Sequence, residues 1–200
     1  MEPEVFVPFE FPGRPSLATR VRSTLIVSSM QTLRKHGHYD AYVRQIDTRY
    51  RDDLVALTAG RWIPVELGLA HYQAADRLGL DVRAIDAYGA EVGERVSKSA
   101  LSMVFRISRE GGVTPWTAFA RIHRLRIENW EGTDISITKL GPKDARLDWI
   151  GMPYASVPYY LTSFGGFLRA AVQLFSTKAY TRLVNVRTTP TSLSYRVSWA

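Results

Sequence analysis

Leu193, Tyr195, Val197 and Trp199 alternate with Ser194, Arg196 and Ser198. A period of two makes one side of an extended segment apolar and the other polar, which specifies a half-buried antiparallel strand and demands a sheet for it to join. The preceding residues supply that sheet. Residues 134–140 and 143–150 read as two strands joined at Gly141-Pro142, with Leu147 and Trp149 alternating against Arg146 and Asp148. Pro153 and Pro158 lead into a helix from about Tyr159 to Phe175, and residues 180–188 with 192–199 form a hairpin around Pro190. The expected class is α+β: a helical N-terminal two thirds packed on a C-terminal antiparallel four-stranded sheet in ββαββ order.

The helical part is read from its 3.6-residue stripes. A short strand near Arg20 leads into a helix capped by Thr24, with Ile26, Met30 and Leu33 on one face and Gly37 ending it. Tyr42, Val43, Ile46, Tyr50, Leu54 and Leu57 keep the helical period from Tyr39 onward, with a break expected near Asp52. Trp62-Ile63-Pro64 is expected to open another helix, striped by Leu67, Ala70, His71, Ala74, Ala75 and Leu78. Asp81 caps a helix whose buried line runs Val82, Ile85, Tyr88, Gly89, Val92 and Val96, where Gly89 and Gly93 weaken the helix and fit close approach by a neighbouring element. Leu101, Val104, Phe105 and Ser108 continue it to Gly111-Gly112, and Thr114-Pro115 starts a helix carrying Trp116, Phe119, Ala120, His123 and Ile127 on one face. Residues 1–15 interleave Pro3, Pro8, Pro12 and Pro15 with Val5, Phe6, Val7, Phe9 and Phe11, which predicts an extended arm lying on the domain or on a neighbouring subunit. Residues 16–200 are read as one domain.

Composition narrows the chemistry. The chain lacks cysteine, which removes disulfides, thiolate metal sites and cysteine nucleophiles, so any metal would need His, Asp or Glu. The net charge of +7 is spread over short arginine clusters that read as a solvated face, and nucleic acid is not an expected partner. Neither a membrane span nor a signal-type start is recognised, so a cytoplasmic location is expected. Neither a phosphate-cradling loop nor a nucleophile elbow is present, Asp52/Asp53 diverge on a helix, and Glu91/Glu94 lie opposite the buried line, so the chain is not expected to be an enzyme. His36 and His38 flank a helix end, while His71 and His123 fall on apolar stripes, where an imidazole needs a hydrogen-bond partner or a ligand. No metal site is expected. Trp116, Phe119, His123, Trp149, Tyr154 and Tyr159 are the candidates to line an apolar pocket between helices and sheet.

Trp62-Ile63-Pro64, Leu140-Gly141-Pro142, Phe164-Gly165-Gly166-Phe167 and Tyr195-Arg196-Val197-Ser198-Trp199 resemble a myxobacterial-type paralogous family of unknown function. The layout is also similar to a wider group of heme nitric-oxide-binding sensor domains, vinyl-reductase-type small-molecule sensor domains and vesicle-tethering subunits. In heme members of that group a Tyr-x-Ser-x-Arg motif beside the sheet anchors the propionates. Tyr154-Ala155-Ser156-Val157-Pro158 stands at about the corresponding place, with Pro158 where the arginine would be. The resemblance implies a bacterial, non-enzymatic sensing or binding module for a small apolar ligand, without a cofactor. A structural or adaptor protein, working through protein contacts or a homodimer, is the alternative. Heme-based gas sensing, with His71 or His123 as axial ligand, ranks third.

Overall fold

The computed structural model describes residues 2–11, 17–100 and 114–200, with the side chains of 97–100 left aside. The expected helical continuation through residues 101–112 lies outside the described residues.

The period-two segment is β8 (Ser192–Trp199), and it occupies an interior position in its sheet. It pairs with β6 (Asp144–Ile150) on one side and β7 (Ala179–Leu183) on the other, and β6 pairs with β5 (Asp134–Gly141), all antiparallel. The sheet has five strands where four were expected. Its fifth is β1 (Glu4–Val7), which hydrogen-bonds to β5 and gives the order β1-β5-β6-β8-β7. The proline-rich arm thus lies on its own domain as an edge strand, a position that tolerates flanking prolines because only one side needs donors. A second sheet was missed altogether: β2 (Arg20–Arg22) pairs antiparallel with β3 (Trp62–Pro64) and β4 (Trp130–Glu131). Strands of two and three residues carry no readable period.

Eight α-helices lie among the described residues. The first, α1 (Ser23–Lys35), starts one residue earlier than Thr24. No side chain caps it; instead Ser23 donates to the Thr58 carbonyl and accepts from the Arg61 amide, and the Thr24 hydroxyl accepts from the Gly60 amide, which ties the helix start to the 58–61 loop. The long stripe from Tyr39 is two helices, α2 (Tyr39–Gln45) and α3 (Thr48–Val55), and the break falls at Ile46-Asp47 because the Asp47 carboxylate accepts from the Arg49 amide and restarts the helix. Pro64 ends β3 and is the residue before α4 (Val65–Asp76), so Trp62-Ile63-Pro64 is strand where a helix start was expected. Asp81 does cap α5 (Val82–Ala100), accepting from the Arg83 and Ala84 amides, although Val82 itself is exposed. Thr114 and Thr117 form a reciprocal cap on α6 (Pro115–Phe119), which stops at a bend before α7 (Ile122–Asn129) and so turns Ile127 outward. None of the helices among the described residues is long and apolar enough to cross a membrane.

One more helix, α8 (Pro158–Gln173), covers the sheet. Its start is capped from a distance, the Asp76 carboxylate accepting from the Tyr159 amide at 2.8 Å. Its far side meets α5 at glycines. A Cβ at Gly89 would stand 1.8 Å from the Ser163 carbonyl oxygen, one at Gly166 2.0 Å from the Asp86 carbonyl oxygen, and one at Gly93 2.7 Å from the Phe167 carbonyl oxygen. The two helices touch backbone to backbone, and an Arg169–Asp86 ion pair closes the seam. On the sheet side Ile135, Ile137, Leu147, Leu193, Tyr195 and Val197 are buried beneath α8 and its neighbours. The opposite face is polar yet partly covered: Asp148 accepts from Arg146, Ser194 and Arg187, and Ser136 donates to the Val7 carbonyl of the arm.

Because the obstructing atoms are backbone, Gly89→Ala should cost about 3 kcal/mol and lower the thermal midpoint by roughly 6–12 °C. Gly141→Ala, whose Cβ would meet only the Asp144 Cβ at 3.5 Å, should move the midpoint far less in the same calorimetric comparison.

Candidate functional site

An apolar cavity of about 110 Å³ lies between the helical layer and the sheet. Its wall is built by periodicity. Alternation in β6 turns Leu147 and Trp149 inward, and α8 contributes Phe164, Phe167, Leu168, Ala171 and Val172 at helical spacing. The bend between α6 and α7 adds Phe119, Ile122 and Leu125 to the wall. For scale, an engineered cavity of about 150 Å³ lined by similar side chains stays dry and takes up benzene or xenon.

Four wall residues carry polar groups, and Asn129 among them donates its amide to the Leu125 carbonyl. The indole N–H groups of Trp130 and Trp149 and the Nε–H of Arg126 are buried without a hydrogen-bond partner among the described residues. The two indoles meet edge to face at 4.6 Å. Leaving a buried donor unpaired costs about 1–3 kcal/mol, so three on one small wall is a feature that asks for an acceptor. Neither Trp130 nor Arg126 stood out in the sequence. Trp130 lies at a helix-to-strand junction without period, and a buried arginine looks like any other in a basic chain.

The six residues expected to line a pocket are divided among three places. Phe119 and Trp149 are on the cavity wall, and Trp116 stands directly behind Phe119, edge-on to it at 5.8 Å and to Trp199 at 5.0 Å. The Trp116 indole donates to the Pro142 carbonyl at 2.8 Å, pinning α6 to the β5–β6 turn. Tyr154 and Tyr159 lie on the other side of Phe164. Tyr154 packs against Tyr72 and Tyr160 and donates to the Val65 carbonyl, directly over Gly68. Tyr159 borders a second, smaller space of about 30 Å³, room for about one water, which the unpartnered Tyr160 hydroxyl also lines. Phe164 and Phe167 form the partition between the two spaces. His123 faces the N-terminal arm, with Nε2 2.8 Å from the Pro8 carbonyl.

His71 is also away from the cavity. It is fully buried in the helical layer, where Nδ1 shares a hydrogen bond with the Tyr42 hydroxyl at 2.8 Å and Nε2 one with the Ser29 hydroxyl at 3.0 Å. Both ring nitrogens are used, so it is a satisfied core histidine. Burial pushes its pKa down from 6.5 to about 3 and raises that of Tyr42.

Neither a family model nor a curated protein matches the chain, so the resemblance to the myxobacterial-type paralogous family gains no support. Solved structures do match. The H-NOX protein from K. algicida in its Fe(II) unliganded form superposes with a TM-score of 0.62 at 9% identity, over 90% of this chain and 96% of that one. A mutant of the same K. algicida protein, also Fe(II) unliganded, gives 0.63 at 11% identity, over 90% and 96%. A mutant of T. tengcongensis H-NOX gives 0.58 at 12% identity, over 89% and 97%. The fold is that of the H-NOX proteins. At these identities the likeness speaks for the H-NOX fold alone, and it agrees with the sequence-based resemblance to heme nitric-oxide-binding domains at the level of layout.

The buried neutral His71 makes a pH prediction. The unfolded chain takes up a proton near pH 6.5 that the folded chain refuses until about 3. Stability is therefore full above the unfolded value and falls as pH drops through that window, by on the order of 1.4 kcal/mol per pH unit. Urea titrations at pH 7 and pH 5 should show the loss, and His71→Gln should flatten the slope between them.

Proposed function

We propose that this chain is a non-enzymatic binding or sensing module whose cavity accepts a small apolar molecule carrying a hydrogen-bond acceptor. The observation that carries the reading is that Trp130, Trp149 and Arg126, whose buried N–H donors have no partner among the described residues, all line one largely apolar cavity. An apolar guest body would displace nothing costly, and its carbonyl or ether oxygen would satisfy donors that the folded protein leaves unpaired. Occupancy stabilises the conformation that holds the guest, which is the elementary act of a sensor.

Solved H-NOX-fold proteins include one from a study of heme distortion in that family, so heme is the first guest to test against the residues present. They do not fit it. Iron in heme is held by His, Cys, Met or Tyr, and the described cavity wall offers none of these. All four histidines lie among the described residues, and His71 and His123, the two expected candidates for an axial ligand, are committed elsewhere. Pro158 begins α8 where a propionate-binding arginine would stand, and the Tyr154 hydroxyl is taken by Val65. The cavity of about 110 Å³ suits a single small ring.

The test compares two guests of one shape, acetophenone and ethylbenzene, by calorimetry and by ¹⁵N–¹H spectra of the indoles. Acetophenone should bind about tenfold tighter, the worth of one hydrogen bond to a buried donor, and should shift the Trp130 or Trp149 indole signal. Trp149→Phe together with Trp130→Phe should erase the difference. Equal affinity for both guests, or indole signals unmoved at saturation, defeats the acceptor assignment. Added hemin should give no protein-bound Soret band; a bound band lost on substituting His71 or His123 would reverse the reading.

A further inference from the structure

Away from the cavity, three chain segments meet at His123. The Pro8 carbonyl, which can only accept, is 2.8 Å from Nε2, so the proton of the neutral ring sits on Nε2 and Nδ1 presents a lone pair. That Nδ1 is buried and without a hydrogen-bond partner among the described residues. It stands 3.6 Å from Glu10 Oε2 and 3.8 Å from Asp134 Oδ1, and the three ligand-type atoms lie within 4.8 Å of one another. With the ring neutral, three lone-pair atoms lie within reach of one ion and none of the three carries a proton.

The surroundings hold this set in place. Asp134 is fully buried at the start of β5, and its carboxylate is fixed by the Phe11 amide at 2.8 Å and its neighbour Ile135 at 2.7 Å. Arg126 orients Glu10 through an ion pair and is itself tied to the Thr133 carbonyl at 2.6 Å. With Glu10 matched by Arg126, the Asp134 carboxylate faces the His123 ring across the gap. An imidazole that gives its outer N–H to a backbone carbonyl is the usual posture of a metal-bound histidine. Ligand atoms around a tetrahedral zinc at ordinary bond lengths are ~3.3–3.5 Å apart, so the two pairs that include His123 need to close by only a few tenths of an ångström, while the two carboxylates, within 4.8 Å of each other, are drawn together by the ion.

We propose that Glu10, His123 and Asp134 form a three-ligand site for a divalent cation of the zinc type, with a remaining position open to water. One nitrogen and two carboxylate oxygens suit zinc or a neighbouring transition metal better than magnesium or calcium, which take oxygen alone. The ion bridges the N-terminal arm, α7 and β5, and so clasps the edge strand to the domain. Arg126, whose guanidinium holds Glu10, also lines the apolar cavity, which puts the two sites in contact through one side chain.

Metal-stripped protein mixed with Zn²⁺ alone and then desalted should retain one zinc per chain and melt at a higher temperature. Glu10→Gln, at an exposed position, and His123→Ala should each weaken zinc binding by more than the roughly 10–100-fold that loss of a supporting hydrogen bond costs at such sites. Chelator competition measures that loss, and Co²⁺ in place of zinc reports the ligand set by visible absorption that the same variants should lose. Circular dichroism checks that the variants fold; if His123→Ala does not, Glu10→Gln carries the comparison. Absence of retained zinc overturns the proposal. So does zinc held equally by the folded variants, which would place the ion elsewhere on the chain.

Discussion

The backbone contact between α5 and α8 governs the rest of the molecule. Three glycines, Gly89 and Gly93 on one helix and Gly166 on the other, let carbonyl oxygens sit where any side chain would collide. Each glycine costs a helix interior about 1 kcal/mol against alanine, a penalty offset by the packing the close approach permits. Since α8 is also fastened to the sheet, by Thr181 to the Gly165 carbonyl and Tyr195 to the Leu161 carbonyl, this seam sets the distance between the helical layer and the strands. It also sets what lies between them. Phe164 and Phe167 flank the Gly165-Gly166 pair and fill the middle of the interlayer space, leaving a larger apolar compartment on one side and a water-sized one on the other.

That division separates this chain's interior from its fold. The H-NOX architecture persists at 9–12% identity over nine tenths of the chain, because it depends on layer order and on helices that cover a sheet. The contents of the interlayer space depend on individual side chains and are free to differ. Here they are aromatic rings, two indole donors and one arginine stem.

The sequence was most legible where a strong period ran uninterrupted. Three of the four main strands, the helix between them and the caps at Asp81 and Thr114 stand close to where residue patterns put them, while β7 ends at Leu183 and a 3-10 turn over Asn185–Arg187 replaces the rest of the strand expected to Thr188. Gly89 and Gly93 also spoke through composition, since glycine inside an amphipathic helix has few other reasons to be there. What escaped were features without local signature. Strands of two or three residues, the pairing of a proline-rich arm with β5, and the restart at Asp47 are decided by tertiary partners. For the site, aromatic content singled out Phe119 and Trp149, which border the larger space, together with Tyr159, which borders the smaller one, and Tyr154, which borders neither, because composition carries no signal for which face of Phe164 an aromatic occupies. His71 and His123 looked alike in sequence; one is sealed between Tyr42 and Ser29, the other opens toward the arm.

Trp116 gives the cavity a mechanical outlet. Its ring braces Phe119 from behind while its indole nitrogen is tethered to the Pro142 carbonyl at the tip of the β5–β6 hairpin. A guest large enough to push Phe119 outward has to drive that brace as well, and the brace gives way only by breaking the tether or tugging the hairpin tip. Strain from inside the protein therefore surfaces at a solvent-facing corner through just two rings, with no rearrangement required of the glycine-locked helices.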